Sequence, residues 1–94
     1  MNNSQPGTAP AIADISAELC AFLQDNILAP GTSIQPDSEL ALLGVDSYSL
    51  MELVLFIERR YGLVLAPESL TPENLLSTHN LSICCAQQLQ QGNA

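Results

Sequence analysis

One stretch of this sequence carries residue types whose order could do chemistry: Leu43-Gly44-Val45-Asp46-Ser47-Tyr48-Ser49-Leu50-Met51-Glu52-Leu53. Gly44 permits a tight turn, Asp46 is a good helix N-cap, and Ser47 falls at the first helical position. The Ser47 hydroxyl therefore belongs at a surface corner, not on a core face. A helix N-terminus offers free N–H groups and a partial positive charge, which favour a phosphate nearby. A serine so placed could accept a phosphate ester. Nothing close in sequence would activate it. The single histidine, His79, falls in a loop expected before the last helix, Lys is absent, and the ten Asp and Glu residues form no paired acid–base arrangement. Serine nucleophiles need an adjacent base or metal, so the base must come from another protein. The expectation is a chain with no catalytic residue and no metal site of its own.

The cysteines point the same way. Cys84 and Cys85 are adjacent and Cys20 is distant, so neither a zinc spacing nor a CxxC redox pair is present. They read as small, buried, reduced thiols.

Three main helices must position the serine. Apolar residues at Ile12, Ile15, Leu19, Phe22, Leu23 and Ile27 predict a first helix of about four turns, broken by Pro30-Gly31. The segment Thr32 to Val45 mixes turn residues with Ile34, Leu40, Leu42 and Leu43. A loop of that length is often functional. Its leucines are expected to pin it across helix ends, with a short turn of helix near Ser38 to Leu42. Asp46 then starts a second helix, with Leu50, Leu53, Val54, Ile57 and Tyr61 on its core face and Gly62 as its stop. Thr71-Pro72-Glu73 reads as N-cap, first-turn proline and acidic first turn of a short helix. Asn80 is expected to cap a last helix with Leu81, Cys84, Cys85 and Leu89 inward, ending before Gly92. The fold class is all-α: a small four-helix bundle, three main helices and one short one, with a long first loop. Its expected bounds are a flexible lead-in over 1–10, one domain over 11–91 and a tail over 92–94.

Composition narrows the function classes. The chain has 94 residues, two Arg and a net charge of −8, with hydrophobic residues at 47% and charged residues at 13%. It is hydrophobic enough to fold and long enough for one domain, but too short to build both a core and a deep substrate cleft. Nucleic-acid binding is excluded, because neutralising phosphates takes several cations, and anionic membrane surfaces are disfavoured for the same reason. The longest apolar run, Leu53 to Ile57, falls far short of the ~20 residues that cross a bilayer. No signal peptide is visible, so a cytoplasmic monomer is expected. The acidic surface would steer basic partners toward it.

In this frame the Asp46-Ser47 pair, after the Leu-Gly-aliphatic turn and opening the second helix, resembles the acyl carrier proteins and their peptidyl and aminoacyl relatives. The resemblance covers about Ile12 to Leu89 and includes the long loop and the acidic balance. It implies that a phosphopantetheinyl transferase moves 4′-phosphopantetheine from coenzyme A onto Ser47. Asp46 would help orient the magnesium and coenzyme at the transferase interface. The arm's thiol would then hold acyl groups as thioesters for acyl-loading, condensing or acyl-transferring enzymes of fatty-acid, polyketide or related specialised biosynthesis. A peptidyl or aminoacyl carrier serving an adenylating enzyme is the sibling reading. A helical interaction adaptor without a covalent arm is the reading from another class.

At about 100° per residue, Tyr48, Met51 and Leu55 form a second apolar stripe rotated away from the core face, with Glu52 and Arg59 beside it. This is the expected partner patch. Phe56 lies on neither stripe and is expected against the Pro30–Leu43 loop. Small aliphatics at Ala41, Val54 and Val64 would allow the interior to shelter part of an acyl chain. The chain departs from the family at Tyr48, where Leu is usual, and at Arg59-Arg60, where fatty-acid carriers tend to be acidic. That charge reversal puts ordinary fatty-acid synthase partners in doubt.

Overall fold

The computed structural model describes residues 10–92, so the expected lead-in (apart from Pro10) and the last two residues of the expected tail lie outside it. Three α-helices of equal length carry the fold: α1, Ile12–Asn26; α2, Ser47–Tyr61; and α3, Thr78–Gly92. Two short 3-10 turns, Leu40–Leu43 and Pro67–Ser69, lie in the connections, and there is no strand among the described residues. The all-α expectation holds.

Each helix buries one stripe. Ile15, Leu19 and Leu23 from α1 recur every fourth residue and are fully buried, while Leu53, Val54 and Ile57 from α2 and Leu81, Cys84 and Cys85 from α3 complete the core. Leu28, Leu40, Val45 and Leu65 enter from the loops. Burying each such aliphatic side chain contributes about 1.5–3 kcal/mol, which is what orders these helices, since helices of this length are marginal alone.

The helix boundaries depart from expectation at two places. α3 starts at Thr78, two residues before the expected Asn80 cap, because Ser77 is the capping residue: the Asn80 N–H donates to Ser77 Oγ at 3.1 Å. The earlier start buries Thr78, whose hydroxyl lies 3.1 Å from that of Ser16 on α1 and 3.3 Å from the Cys20 thiol, and donates to the Pro36 carbonyl at 3.3 Å. Thr71 does cap, accepting from the Asn74 N–H at 3.1 Å, but the segment it starts makes one turn and not a short helix. The Glu73 carbonyl there is taken at 2.8 Å by the Asn80 side chain, and α3 begins too soon for the turn to propagate.

The long first loop is tied to the second rather than to helix ends alone. The Leu40 N–H donates to the Leu76 carbonyl at 2.9 Å and the His79 N–H to that of Pro36 at 2.9 Å. Leu40 pins the loop as expected, but Leu42 is 80% exposed. A 3-10 turn cannot send both inward, and Leu40 wins the core. Ala41 is exposed and Val64 is 74% exposed, so of the three aliphatics expected to shelter an acyl chain only Val54 faces the interior. Phe56 does not lie on the loop: it stacks on Phe22 of α1, ring centroids 4.5 Å apart.

At its far end α2 is clasped to α1. Glu18 accepts from Arg60 at 2.9 Å and from the Tyr61 hydroxyl. The Tyr61 hydrogen bond, with help from Arg60 and against some burial, holds the Glu18 carboxyl below its usual range. Burial first, then Glu18, pushes the Tyr61 phenol up. A carboxyl depressed by folding stabilises above its unfolded value and loses that contribution as pH falls through the folded one. A phenol raised by folding stabilises below about pH 10 and loses that contribution above it. The pair is solvent-accessible, so its worth is at most about 1 kcal/mol. Glu18→Gln should therefore melt a few degrees below wild type at pH 7, and the gap should narrow as pH falls below the ordinary glutamate value of about 4.3, closing only once pH has passed the lowered folded value. Thermal melts by circular dichroism across pH check this; a gap that is constant with pH refutes it.

Candidate functional site

The approach to α2 is built by the turn before it. Gly44 sits at φ +88°, a left-handed conformation that suits glycine. Its N–H donates to the Ala41 carbonyl, and the Val45 N–H to that of Leu40 at 3.1 Å. Val45 is buried and fixes the chain. Asp46 comes next in extended conformation, and its Oδ1 accepts from the Ser49 N–H at 2.9 Å. That makes Asp46 the N-cap that the sequence predicts. The hydrogen bond from the Ser49 backbone holds its carboxyl below the usual range, so it stays ionised at neutral pH.

Ser47 is the first residue of α2 and is exposed. Its hydroxyl stands at the positive end of a 15-residue helix, beside first-turn N–H groups that have no partner within the helix. Ser49, two positions on, is half-buried. The arrangement is chemically simple. It offers an accessible alcohol, a neighbouring carboxylate and an environment favourable to a phosphate, with no general base against it in sequence. His79 lies on the first turn of α3, exposed, its backbone engaged with Pro36. Among the described residues no group of three His, Cys, Asp or Glu could hold a metal ion. The three cysteines are free thiols. Cys84 and Cys85 are buried, Cys20 only half so, and burial pushes the Cys85 thiol up to about 12, which keeps it protonated and unreactive.

The second stripe of α2 is outward. Tyr48 is 73% exposed, Met51 51% and Leu55 48%, while Leu53, Val54 and Ile57 on the other side are buried. Glu52 and Leu55 with Arg59 form one wall of a groove of about 310 Å³, closed on the other side by Phe22 and Asn26 of α1. The two arginines part company here. Arg60 is paired with Glu18, whereas Arg59 makes no ion pair among the described residues. Sequence reasoning missed the groove's α1 wall and the exposure of Leu42 on the turn entering α2. Phe22 lay on the flank of the α1 stripe, which was the available signal.

Comparisons with known proteins identify the family. A family model described as a phosphopantetheine attachment site matches residues 17–78. This chain belongs to that family: it is a carrier protein built on a phosphopantetheine attachment domain, and the group such a domain bears is covalently attached 4′-phosphopantetheine. Aminoacyl carrier protein 2 of Bradyrhizobium diazoefficiens is 31% identical over 73 residues, covering 78% of this chain and 80% of the relative. No solved structure matches. Carriers of this family are generally non-catalytic, and no helix among the described residues is long and apolar enough to cross a membrane.

Proposed function

We propose that Ser47 is the residue to which a phosphopantetheinyl transferase attaches the arm, and that the protein carries aminoacyl groups on it. One observation carries the assignment of the residue: Ser47 is an exposed serine on the first position of a capped helix, inside the matched stretch. Its neighbours suit the group, since the helix N-terminus favours the phosphate and the surface position leaves the arm free to swing. When attached, the arm supplies a thiol that holds acyl groups as thioesters. The chain's own residues do the rest. Asp46 fixes the start of α2 and offers its carboxylate to the metal and coenzyme at the transferase. Tyr48, Met51, Glu52, Leu55 and Arg59 form the surface on which transferase and loading enzyme sit in turn. The cytoplasm is the compartment this reading favours, in keeping with three free cysteines.

The aminoacyl reading is favoured over fatty-acid or polyketide carriage by likeness to the aminoacyl relative and by Arg59, which suits an all-basic docking face poorly. Loading tests it. Holo protein is offered to a panel of aminoacyl-adenylating enzymes with ATP and, separately, to malonyl- and fatty-acyl-transferring enzymes. Aminoacyl capture in the intact mass is the expected result, and capture of malonyl or fatty-acyl groups alone overturns it.

Asp46 gives a second test. Asn caps helices about as well as Asp, so Asp46→Asn should melt like wild type. Its rate of phosphopantetheinylation should nevertheless fall about 10–100-fold, the loss typical when a group that orients a metal site is removed. Equal rates would leave Asp46 a cap and nothing more.

A further inference from the structure

The exposed groups of α2 are ordered by charge. Residues three, four and seven apart return to one side of a helix, so Tyr48, Glu52, Leu55 and Arg59 lie along one stripe. Outward from Ser47 the stripe reads aromatic, acidic, apolar, basic. Glu52 and Arg59 stand about 10 Å apart along the axis, at about 1.5 Å per residue. Both line the groove between α1 and α2, with Leu55 between them and Phe22 opposite. Neither is ion-paired among the described residues, where the ion pair is Arg60–Glu18.

We propose that the loading enzyme reads this order: a cationic side chain against Glu52, an apolar one against Leu55 and Phe22, and a carboxylate against Arg59. The inference rests on the carrier reading above and adds the polarity of its partner. The net charge of −8 draws a basic surface from any direction and fixes no orientation. Two opposite charges about 10 Å apart do fix one, since turning the partner end for end sets like charges together. The apolar contact between them excludes water and strengthens both pairs. In the matching orientation the Ser47 end of α2 has a defined direction on the enzyme, which is what a covalent arm needs in order to enter an active site. A uniformly basic face would place a cation on Arg59 and lose that direction.

The test reverses the order without changing the total. The double variant Glu52→Arg, Arg59→Glu keeps the net charge of wild type. It is converted to the holo form and loaded by whichever enzyme of a panel of aminoacyl-adenylating enzymes charges wild type fastest. KM should rise about tenfold or more with kcat within about twofold, the signature of lost docking rather than lost chemistry. Arg59→Lys should keep KM within about threefold. A circular dichroism spectrum and melt like those of wild type establish that the variant is folded. If it is not, Arg59→Glu alone takes its place with the same rise in KM expected. Loading of the reversed variant with the wild-type KM overturns this inference and leaves the aminoacyl reading standing. Loading by no member of the panel overturns both.

Discussion

Ser47→Ala is expected to gain no mass when incubated with coenzyme A, magnesium and a broad-specificity phosphopantetheinyl transferase, whereas wild type should gain one phosphopantetheinyl group. The effect is all or none, because the substitution removes the only atom that could form the ester at that position. Folding gives no competing explanation. Ser47 is exposed and the cap is made by Asp46, so the variant should melt within about 0.5 kcal/mol of wild type. Two outcomes would be informative in opposite ways. A gain that persists in Ser47→Ala would move the site elsewhere, and the half-buried Ser49 would need α2 to open before it could serve. No gain by wild type, together with a Ser47→Ala protein that keeps its cellular function, would favour an adaptor without an arm.

The largest effect on stability is expected at Leu53→Ala. Leu53 is fully buried on the side of α2 opposite the exposed stripe and lies in the common core with Ile15, Leu19 and Leu81. Truncation there leaves a cavity and costs about 2–5 kcal/mol. Domains of this size have about 5–15 kcal/mol in total, and each kcal/mol shifts the midpoint by about 4–8 °C. A fall of about 10–30 °C in Tm is expected by circular dichroism. Tyr48→Ala, five positions earlier and 73% exposed, is the control and should stay within about 0.5 kcal/mol. Similar melting of the two variants would mean that α2 is not seated as described. The contrast also separates the helix's two duties, since Tyr48→Ala should impair enzyme loading while leaving the melt alone.

Local signals in the sequence were sufficient for the capped corner that bears Ser47 and insufficient for its surroundings. Asp46, Ser47, Gly44 and Gly62 follow from cap and turn chemistry within a few residues, and the structure puts all four where that chemistry predicts. The start of α3 did not follow, because Ser77, Thr78 and Asn80 can all cap and the choice depends on Thr78 reaching Ser16 on α1. The Thr71 cap was legible, but the length of the turn it starts was set by Asn80 binding the Glu73 carbonyl. Leu42 shows the limit of residue type: apolar character pointed it inward, and the geometry of one 3-10 turn points it out. Phe56 and the groove depend on how α1 and α2 are rotated against each other, which no single-helix periodicity encodes.

The hydroxyl pair Ser16–Thr78 joins residues separated by 62 positions. Ribosomes deliver about 5–20 residues per second, so α1 waits about 3–12 s for the partner that covers it. During that interval the side of α1 that α3 covers is open to water, and α2 has only α1 to pack on. A helix of its length does not persist unaided. The loop that leads to Ser47 therefore gains its ties to Leu76 and His79 only once the start of α3 has been made.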